Sequence, residues 1–286
     1  MIERIAILGT GLLGASTGLA LRASGFQGSI TGWNRSSEQA DVALQMGAID
    51  FIATEPLAMA RSCQVMVLAT PVLAVLDWME QLANVMGPDQ LLTDVGSTKA
   101  MISAAAKRHF NRAGRAAFLP GHPMAGKERG GAALADSDLY RDAVWLFTDN
   151  PDWQRSAQAS QFVTEWRAWV EKMGARVIDL DAEKHDELVA WVSHLPQFLS
   201  TALCTVLEDQ VGDTPELKQV GGRGLREMTR LGASPFSMWR DIAHTNSDAI
   251  AGTLLALEQK LAHMRENLRT PELRDEFEKA NRFRRS

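Results

Sequence analysis

The sequence predicts an α/β protein that begins with a doubly wound, mostly parallel sheet and ends in an all-helical region. Two observations support this prediction. Short apolar runs alternate with segments of helical periodicity over the first 180 residues, which is typical of a parallel sheet covered by helices. From about residue 181 the periodicity is helical almost to the end, with no convincing strand. We therefore expect two domains, residues 1–180 and residues 181–286.

The first strand, turn and helix carry the most specific motif. An apolar run at residues 5–8 predicts a buried strand, and a helical pattern starts at Leu12. Between and just beyond them lie the glycines of a G-x-G-x-x-G motif, Gly9, Gly11 and Gly14. In a dinucleotide fold the first makes a tight turn, the second lets a pyrophosphate approach and the third allows close helix–strand packing. Because the motif joins a predicted strand to a predicted helix, it favours a Rossmann-type site over an ordinary turn.

The other elements follow from apolar runs and the residues that interrupt them. We expect a helix over residues 12–24 that ends at Gly25, a strand at Ser29–Trp33, and a helix to Met46 that Gly47 caps. Further strands are predicted at residues 48–52, 65–69, 91–94, 118–121, 144–147 and 176–180. Helices are predicted at residues 182–191, 198–210, 216–220, 225–229, 236–246 and 247–267. The charged tail, residues 270–286, is expected to fray or to pack loosely.

Composition argues against several classes of function. A hydrophobic content of 45% and a charged content of 23% are typical of globular proteins. The net charge of −5 argues against nucleic-acid binding. The longest apolar run, residues 65–76, is interrupted and is shorter than the ~18 residues of a membrane span. A strand that starts by residue 4 leaves no room for a signal peptide, so we expect a cytoplasmic enzyme. The two cysteines lack metal-site spacing, and no metal is predicted.

The end of the second strand bears on the choice of nicotinamide nucleotide. An acidic residue there would bind the ribose 2′-hydroxyl and select NAD, but this chain has Asn34, Arg35 and Ser36. A guanidinium beside hydroxyls suits a 2′-phosphate, so we expect NADP, with NAD as the alternative. The other interpretation is a solvated arginine beside a serine that caps the next helix. Thr70 and Pro71 end the fourth strand, at an edge where ligands bind, although the proline also suits a helix start. The cofactor candidates are Gly9, Gly11, Leu12, Leu13, Gly14, Asn34, Arg35, Ser36, Thr70 and Pro71.

Three segments punctuated by glycine or proline carry polar residues where an apolar core would not. They are residues 94–99 (D-V-G-S-T-K), 121–131 (G-H-P-M-A-G-K-E-R-G-G) and 191–197 (W-V-S-H-L-P-Q). The first two follow predicted strands and should face the crevice above the sheet. His122 is the best candidate general base, because an imidazole pKa near 6.5 suits proton removal near neutrality. Ser97 is expected to hold the same hydroxyl or to orient the imidazole.

Five segments in this order resemble the prephenate and arogenate dehydrogenases of tyrosine biosynthesis. They are G-T-G-L-L-G-A-S from Gly9, D-V-G-S-T-K from Asp94, G-H-P-M-A-G from Gly121, S-H-L-P from Ser193 and M-W-R-D-I from Met238. The set covers nearly the whole chain and is specific, whereas any one segment alone is not. The resemblance implies an NAD(P)-dependent oxidoreductase that converts prephenate to 4-hydroxyphenylpyruvate. The alternative is conversion of arogenate to tyrosine.

The resemblance also implies roles for single residues. His122 would accept the proton of the substrate C4 hydroxyl while C4 gives a hydride to the nicotinamide. Ser97 would bond that hydroxyl and His122. Arg240 would hold a substrate carboxylate, with an ion pair to a neighbouring acid as the alternative. His194 and Gln197 would lie in the substrate pocket, although a satisfied core histidine is the rival interpretation of His194.

Gln197 departs from the family pattern, since many members carry a second histidine there. A neutral amide both donates and accepts, so the keto acid of prephenate and the amino acid of arogenate both stay open. The resemblance further implies a homodimer through the helical domains, and no nucleic-acid or membrane partner is expected. A β-hydroxyacid dehydrogenase and a non-enzymatic NADP sensor are the remaining alternatives. The other histidines are expected to be surface or structural: His109, His185, His244 and His263.

Overall fold

A computed structural model of the chain describes residues 1–212 and 214–285. Its first part is a six-stranded parallel sheet in the order β3-β2-β1-β4-β5-β6. The strands are β1 (Arg4–Leu8), β2 (Ser29–Trp33), β3 (Phe51–Ile52), β4 (Val65–Leu68), β5 (Leu91–Asp94) and β6 (Ala117–Leu119). This order is that of a doubly wound dinucleotide-binding sheet, so the predicted fold class is confirmed.

Helices cover both faces of this sheet. They are α1 (Leu12–Ala23), α2 (Ser37–Gln45), α3 (Pro56–Ser62), α4 (Val72–Leu82), α5 (Ala100–His109) and α6 (Ala157–Lys172). Alternate residues of β1 enter two separate hydrophobic cores, with Ile5 and Ile7 in one and Ala6 and Leu8 in the other. A strand buried on both faces has no polar side to show, which explains the unbroken apolar run in the sequence.

A second sheet starts where the sequence predicted a single strand at residues 118–121. That prediction was wrong, because the strand divides at Pro120 into β6 and β7 (Gly121–Pro123). Proline has no N–H to continue a sheet ladder, which favours a break at this point. β7 pairs antiparallel with β8 (Val144–Phe147), which pairs parallel with β9 (Arg176–Asp179). The switch places His122 beside the carboxyl end of β5, where the Gly121 N–H donates to Asp94 Oδ1 at 3.1 Å.

After β9 the described residues contain helices and no strand. The helices are α7 (Ala182–Val189), α8 (Leu195–Gln210), α9 (Pro215–Val220), α10 (Arg223–Thr229), α11 (Phe236–Thr245), α12 (Ser247–Glu266) and α13 (Pro271–Arg285). None of these helices combines the length and apolarity needed to cross a membrane.

One local prediction in the helical region was wrong. The predicted helices at residues 182–191 and 198–210 left residues 192–197 outside any helix, but α7 continues into α8 through a π-helical turn, Ala190–His194, and Pro196 fits the first turn of α8. The tail was expected to fray or to pack loosely. It is helical from Pro271 to Arg285 with no buried residue, which agrees with loose packing rather than fraying, and the last residue of that prediction, Ser286, lies outside the described residues.

Candidate active site

A cleft lies between the carboxyl edge of the six-stranded sheet and the helical region. It has a larger part of about 370 Å³ and a smaller part of about 230 Å³. Both parts are lined by Leu12 and Leu13 of α1, by Ser97 after β5, and by Met238 and Ile242 of α11. The start of α1, the loop after β5 and α11 therefore enclose two adjoining halves of one site.

The turn that borders the smaller half, between β1 and α1, has the glycine geometry that a dinucleotide needs. Gly9 has a φ of +102°, and a Cβ there would collide with the carbonyl oxygen of Ala69. A Cβ on Gly14 would collide with the carbonyl oxygen of Gly9, whereas a Cβ on Gly11 would meet nothing within 4 Å. The first and third glycines are thus required by the backbone, and the second faces open space where a pyrophosphate can approach.

Two buried hydroxyls near this turn lack partners among the described residues. They are Oγ1 of Thr10, which follows Gly9, and Oγ1 of Thr70, which lines the smaller half. Buried polar groups are nearly always hydrogen-bonded in a completed protein. Unpaired hydroxyls beside a helix N-terminus fit a ligand that brings acceptors, as the ribose and phosphates of a dinucleotide do.

Of the three polar residues after β2, Asn34 and Ser36 form local hydrogen bonds, whereas Arg35 is exposed. Ser36 is the N-cap of α2, where its Oγ accepts from the Gln39 N–H at 3.4 Å, and Asn34 Oδ1 accepts from the Ser36 N–H at 3.2 Å. These two side chains shape the turn. Arg35 is exposed and forms no ion pair with any acid among the described residues, so its guanidinium is available to a ligand.

The loop after β5 is fixed by a buried ion pair. Lys99 and Asp94 are fully buried, with Nζ and Oδ2 2.5 Å apart. Asp94 also accepts from the N–H groups of Gly96 and Gly121, at 2.8 and 3.1 Å. Burial lowers the pKa of Lys99, and the neighbouring Asp94 carboxylate opposes that shift. This network ties the loop to β7 and presents Ser97 to both halves of the cleft.

His122 lines the larger half and is only 7% exposed. Its Nδ1 lies 2.8 Å from Nε2 of His185, whose Nδ1 lies 2.8 Å from Oδ1 of Asp186. The pKa of His122 is held well below its ordinary value by burial first, and then by Coulomb interactions with His185, Lys99 and His194. A neutral imidazole is therefore present throughout the physiological range and can accept a proton.

The two residues predicted to bind substrate at the start of α8 lie in different places. Gln197 lines the larger half, and its Nε2 donates to the carbonyl oxygen of Leu231 at 2.8 Å and to Thr201 at 3.2 Å. His194 is buried outside the cleft lining, where its Nδ1 lies 3.3 Å from Nδ2 of Asn246. Burial lowers the pKa of His194 to about 4. This position agrees with the alternative interpretation of His194 as a core histidine.

The arginine predicted to hold a carboxylate is engaged elsewhere. Arg240 is outside the cleft lining, and its Nε and Nη2 donate to Oδ1 of Asp241 at 2.9 and 2.8 Å. Asp241 is buried, and its Oδ2 accepts from the Leu73 N–H in the first turn of α4 at 3.3 Å. Arg240 thus forms an ion pair with a carboxylate that connects the two regions. This position agrees with the alternative prediction for Arg240, an ion pair to a neighbouring acid. A different arginine, Arg230, lines the larger half and pairs with Glu128 on the loop after β7.

His185 and Arg230 are side chains at the site to which the sequence assigned no role there. His185 was expected to be surface or structural, yet it contacts His122 from 63 positions away. Arg230 reaches Glu128 from 102 positions away. The local sequence pattern does not indicate contacts between residues so far apart in the chain. The available signals were an acid directly after His185 and a glycine-rich break at residues 221–224 shortly before Arg230.

A dinucleotide turn, a buried histidine and an arginine around one cleft are features of a nicotinamide-dependent dehydrogenase. Residues 17–179 match the nucleotide-binding domain of prephenate dehydrogenase, and residues 181–282 match its dimerization domain. The chain is 30% identical to the prephenate dehydrogenase of Lactococcus lactis over 266 residues, which cover 93% of this chain and 70% of that enzyme. It is 32% identical to that of Bacillus subtilis over 251 residues, 87% of this chain and 66% of that enzyme. The chain belongs to the prephenate dehydrogenase family.

Solved structures agree with this assignment. Prephenate dehydrogenase from Aquifex aeolicus, in complex with hydroxyphenyl propionate and NAD+, matches with a TM-score of 0.84 at 27% identity, over 100% of this chain and 98% of that one. Arogenate dehydrogenase from Synechocystis matches with a TM-score of 0.76 at 25% identity, over 98% of each chain. A 3-hydroxyisobutyrate dehydrogenase from Mycobacterium tuberculosis, at 16% identity and a TM-score of 0.53, shares the fold alone. The chain is an oxidoreductase that uses a nicotinamide cofactor, as its sequence predicted.

Proposed function

We propose that the protein catalyses the oxidative decarboxylation of prephenate to 4-hydroxyphenylpyruvate. The observation that carries this proposal is the buried imidazole of His122, which lines the same cleft as the Arg230 guanidinium and the start of α1, directly after the dinucleotide turn. A base beside a hydride acceptor suits oxidation of a secondary alcohol. A guanidinium suits an anionic substrate such as a carboxylic acid. The names of the relatives at 30% and 32% identity support the same reaction.

The reaction balances with the residues present. His122 accepts the C4 hydroxyl proton at Nε2, and Ser97 binds the same oxygen. A nicotinamide nucleotide held at the turn before α1 would supply the acceptor for the hydride that leaves C4. The electron pair of the bond to the ring carboxylate enters the ring as carbon dioxide leaves, and the ring becomes aromatic. His122 then returns its proton to the same oxygen, which becomes the phenol, so no net proton is released.

Arg230 is proposed to hold a carboxylate of the substrate. Two cations line the larger half among the described residues, Lys127 and Arg230. Lys127 is bonded within its own loop, to the carbonyl oxygen of Leu134 at 2.8 Å and to Asp136 at 3.3 Å. Arg230 pairs instead with Glu128, on a loop of the other region. A substrate carboxylate that enters the cleft can replace Glu128 on the planar guanidinium.

Arg35 is proposed to make NADP the preferred nucleotide. The end of β2 offers an exposed guanidinium and no carboxylate to bind a 2′-hydroxyl. We also propose a homodimer through residues 181–286, which contain the match to the family's dimerization domain. Large apolar side chains are exposed throughout this region and need a partner surface. They include Val206, Val220, Phe236, Leu255, Leu261 and Phe277.

A second candidate substrate, arogenate, is favoured by the orientation of Gln197. Its Nε2 is used by Leu231 and Thr201, and its Oε1 has no hydrogen bond among the described residues. The side chain therefore offers an acceptor to the cleft. An acceptor attracts the ammonium group of arogenate, whereas the keto oxygen of prephenate has no proton to donate.

A steady-state matrix of both substrates against both nucleotides tests these proposals. We expect decarboxylating turnover of at least one cyclohexadienol, with a higher kcat/KM for NADP than for NAD. Replacement of Gln197 by His, which offers an N–H, should shift the ratio of kcat/KM toward prephenate if the amide acceptor favours arogenate. An unchanged ratio would remove the support for arogenate. Turnover of neither cyclohexadienol would overturn the proposed function.

A further inference from the structure

Three consecutive polar groups lead away from the cleft into the protein. Nδ1 of His122 contacts Nε2 of His185, and Nδ1 of His185 contacts Oδ1 of Asp186, each at 2.8 Å. His185 is fully buried, and the other two residues are 7% and 5% exposed. His122 comes from β7, whereas the other two come from α7. The chain of contacts therefore crosses between the two regions of the molecule.

The contacts around Asp186 fix its role as an acceptor. Oδ1 accepts from the Lys99 N–H at 2.7 Å, and Oδ2 accepts from the Ala100 N–H at 2.9 Å, at the beginning of α5. The positive end of a helix dipole stabilises a carboxylate in this position. Its backbone carbonyl accepts from Nδ2 of Asn246 at 2.8 Å, which holds α7 in place. The carboxylate has no proton to give, so it is the acceptor for Nδ1–H of His185.

The acceptor role of Asp186 determines the tautomers of both histidines. With its proton on Nδ1, neutral His185 has a lone pair on Nε2. That lone pair needs a donor, and the group in contact is Nδ1 of His122. The proton of neutral His122 is then on Nδ1, and its lone pair is on Nε2, the nitrogen that the proposed reaction uses as a base.

The charged groups that face this chain favour the neutral forms of both histidines. Burial lowers the pKa of His122 most, followed by His185, Lys99 and His194, and burial and Lys99 lower that of His185. The carboxylates of Asp186 and Asp94 oppose the shift of His185. An imidazolium on His122 is therefore costly, unless its Nδ1–H is held by an acceptor that is itself bonded to an anion.

We propose that His185 is a positioning residue for the reaction. It holds Nδ1–H of His122, so that the Nε2 lone pair faces the substrate hydroxyl, and it connects the imidazolium that forms to the carboxylate of Asp186. The substrate proton stays on His122 until it returns to the phenol oxygen. This role rests on the proposed function, but the tautomer that it requires is a property of the resting protein.

Nitrogen-15 NMR of histidine-labelled protein tests the tautomer directly. The signals of His122 are assigned by their loss in His122→Asn, and no substrate is needed. We expect a protonated Nδ1 and an unprotonated Nε2 for His122 near neutral pH. In His185→Leu, which removes the acceptor, this preference should be lost. A wild-type His122 with its proton on Nε2 would overturn the proposal, whether or not any variant folds.

Kinetics test whether the tautomer matters for turnover. We expect His185→Leu to lower kcat by about 10²-fold or more, as when a catalytic histidine is left in the wrong tautomer, while KM and nucleotide affinity change less than about threefold. The matched variant His185→Gln offers an amide oxygen at similar reach and should recover at least about tenfold of that loss. Equal loss in both folded variants, or a His122 tautomer that is unchanged in His185→Leu, would contradict the positioning role. Failure of the wild-type protein to oxidise any cyclohexadienol would refute the proposed function and leave the NMR test valid.

Discussion

The two walls of the cleft are built in different ways. On the sheet side, His122 and the Asp94–Lys99 pair are buried and held by hydrogen bonds from the backbone or from other buried groups. On the helical side, Arg230 is exposed, with 60% of its side-chain surface accessible, and its partner is an acid on a loop. The sheet wall is therefore held by buried contacts, whereas the arginine of the helical wall is accessible to solvent. This division suits a site in which the chemical group is fixed and the recognition group responds to the substrate.

The largest expected effect comes from replacing the proposed general base, His122, on the sheet wall. His122→Asn keeps a polar side chain but cannot accept a proton, so kcat should fall by roughly 10²-fold or more. Nucleotide affinity should change little, because the dinucleotide turn is untouched. The measurements are steady-state turnover and nucleotide binding, with His109→Asn at the end of α5 as a matched histidine control. Turnover near that of the wild type would refute the assignment of the base.

A smaller effect is expected on the helical wall, and it distinguishes two arginines. Arg230→Gln should raise the KM for the cyclohexadienol by about 10- to 100-fold, because a charge-assisted hydrogen bond contributes about 1.5–3 kcal/mol. Its kcat should change less than its KM. The matched change Arg240→Gln should leave KM within about threefold and lower the melting temperature, since buried Asp241 loses its partner. The opposite pattern would restore the carboxylate role that the family resemblance implies for Arg240.

The nucleotide end should respond with a more modest change. Arg35→Ala removes one exposed contact to a 2′-phosphate and should weaken NADP binding by about tenfold. NAD lacks that phosphate, so its affinity should change less than about twofold. Titration of the two nucleotides by protein fluorescence measures both numbers on the same protein. Equal weakening of both nucleotides would exclude the phosphate contact.

The smallest effect concerns acid stability and the buried histidines. Burial lowers the pKa values of His122, His185 and His194, so the folded protein binds fewer protons than the unfolded chain once pH falls below about 6.5. The free energy of unfolding is then unaffected at pH 8 and decreases as pH falls, by about 1.4 kcal/mol per pH unit for each such histidine. His194→Gln should make this decrease shallower by one proton between pH 6 and about 4, as measured by urea unfolding at several pH values. An unchanged slope would mean that His194 is not buried and neutral in the folded protein.

Elements of the sheet were predictable because each depends on local sequence. β2, β5 and β8 have the predicted bounds, and the glycine turn before α1 is where the motif put it. The predicted pair Ser97 and His122 does line one cleft, because both residues follow parallel strands whose carboxyl ends share an edge. Their catalytic roles stay predictions.

Other features were not predictable because they depend on the meeting of distant segments. The strand at residues 118–121 divides at Pro120 since β7 finds a partner in β8, more than twenty residues later. Arg240 and Arg230 lie on neighbouring helical segments, and neither pattern shows which one faces the cleft. In the structure, Arg240 pairs with Asp241, which is buried. Arg230 pairs with Glu128, which lines the cleft.

The sequence by itself determined the doubly wound sheet, the dinucleotide turn and the candidate base, because apolar periodicity and glycine spacing act within a few residues. Only the tertiary structure decided which arginine reaches the cleft, which way Gln197 points and what lies behind His122. Those features depend on side chains brought together across up to about a hundred positions, where burial and hydrogen-bond partners are set by packing between the sheet and the helices.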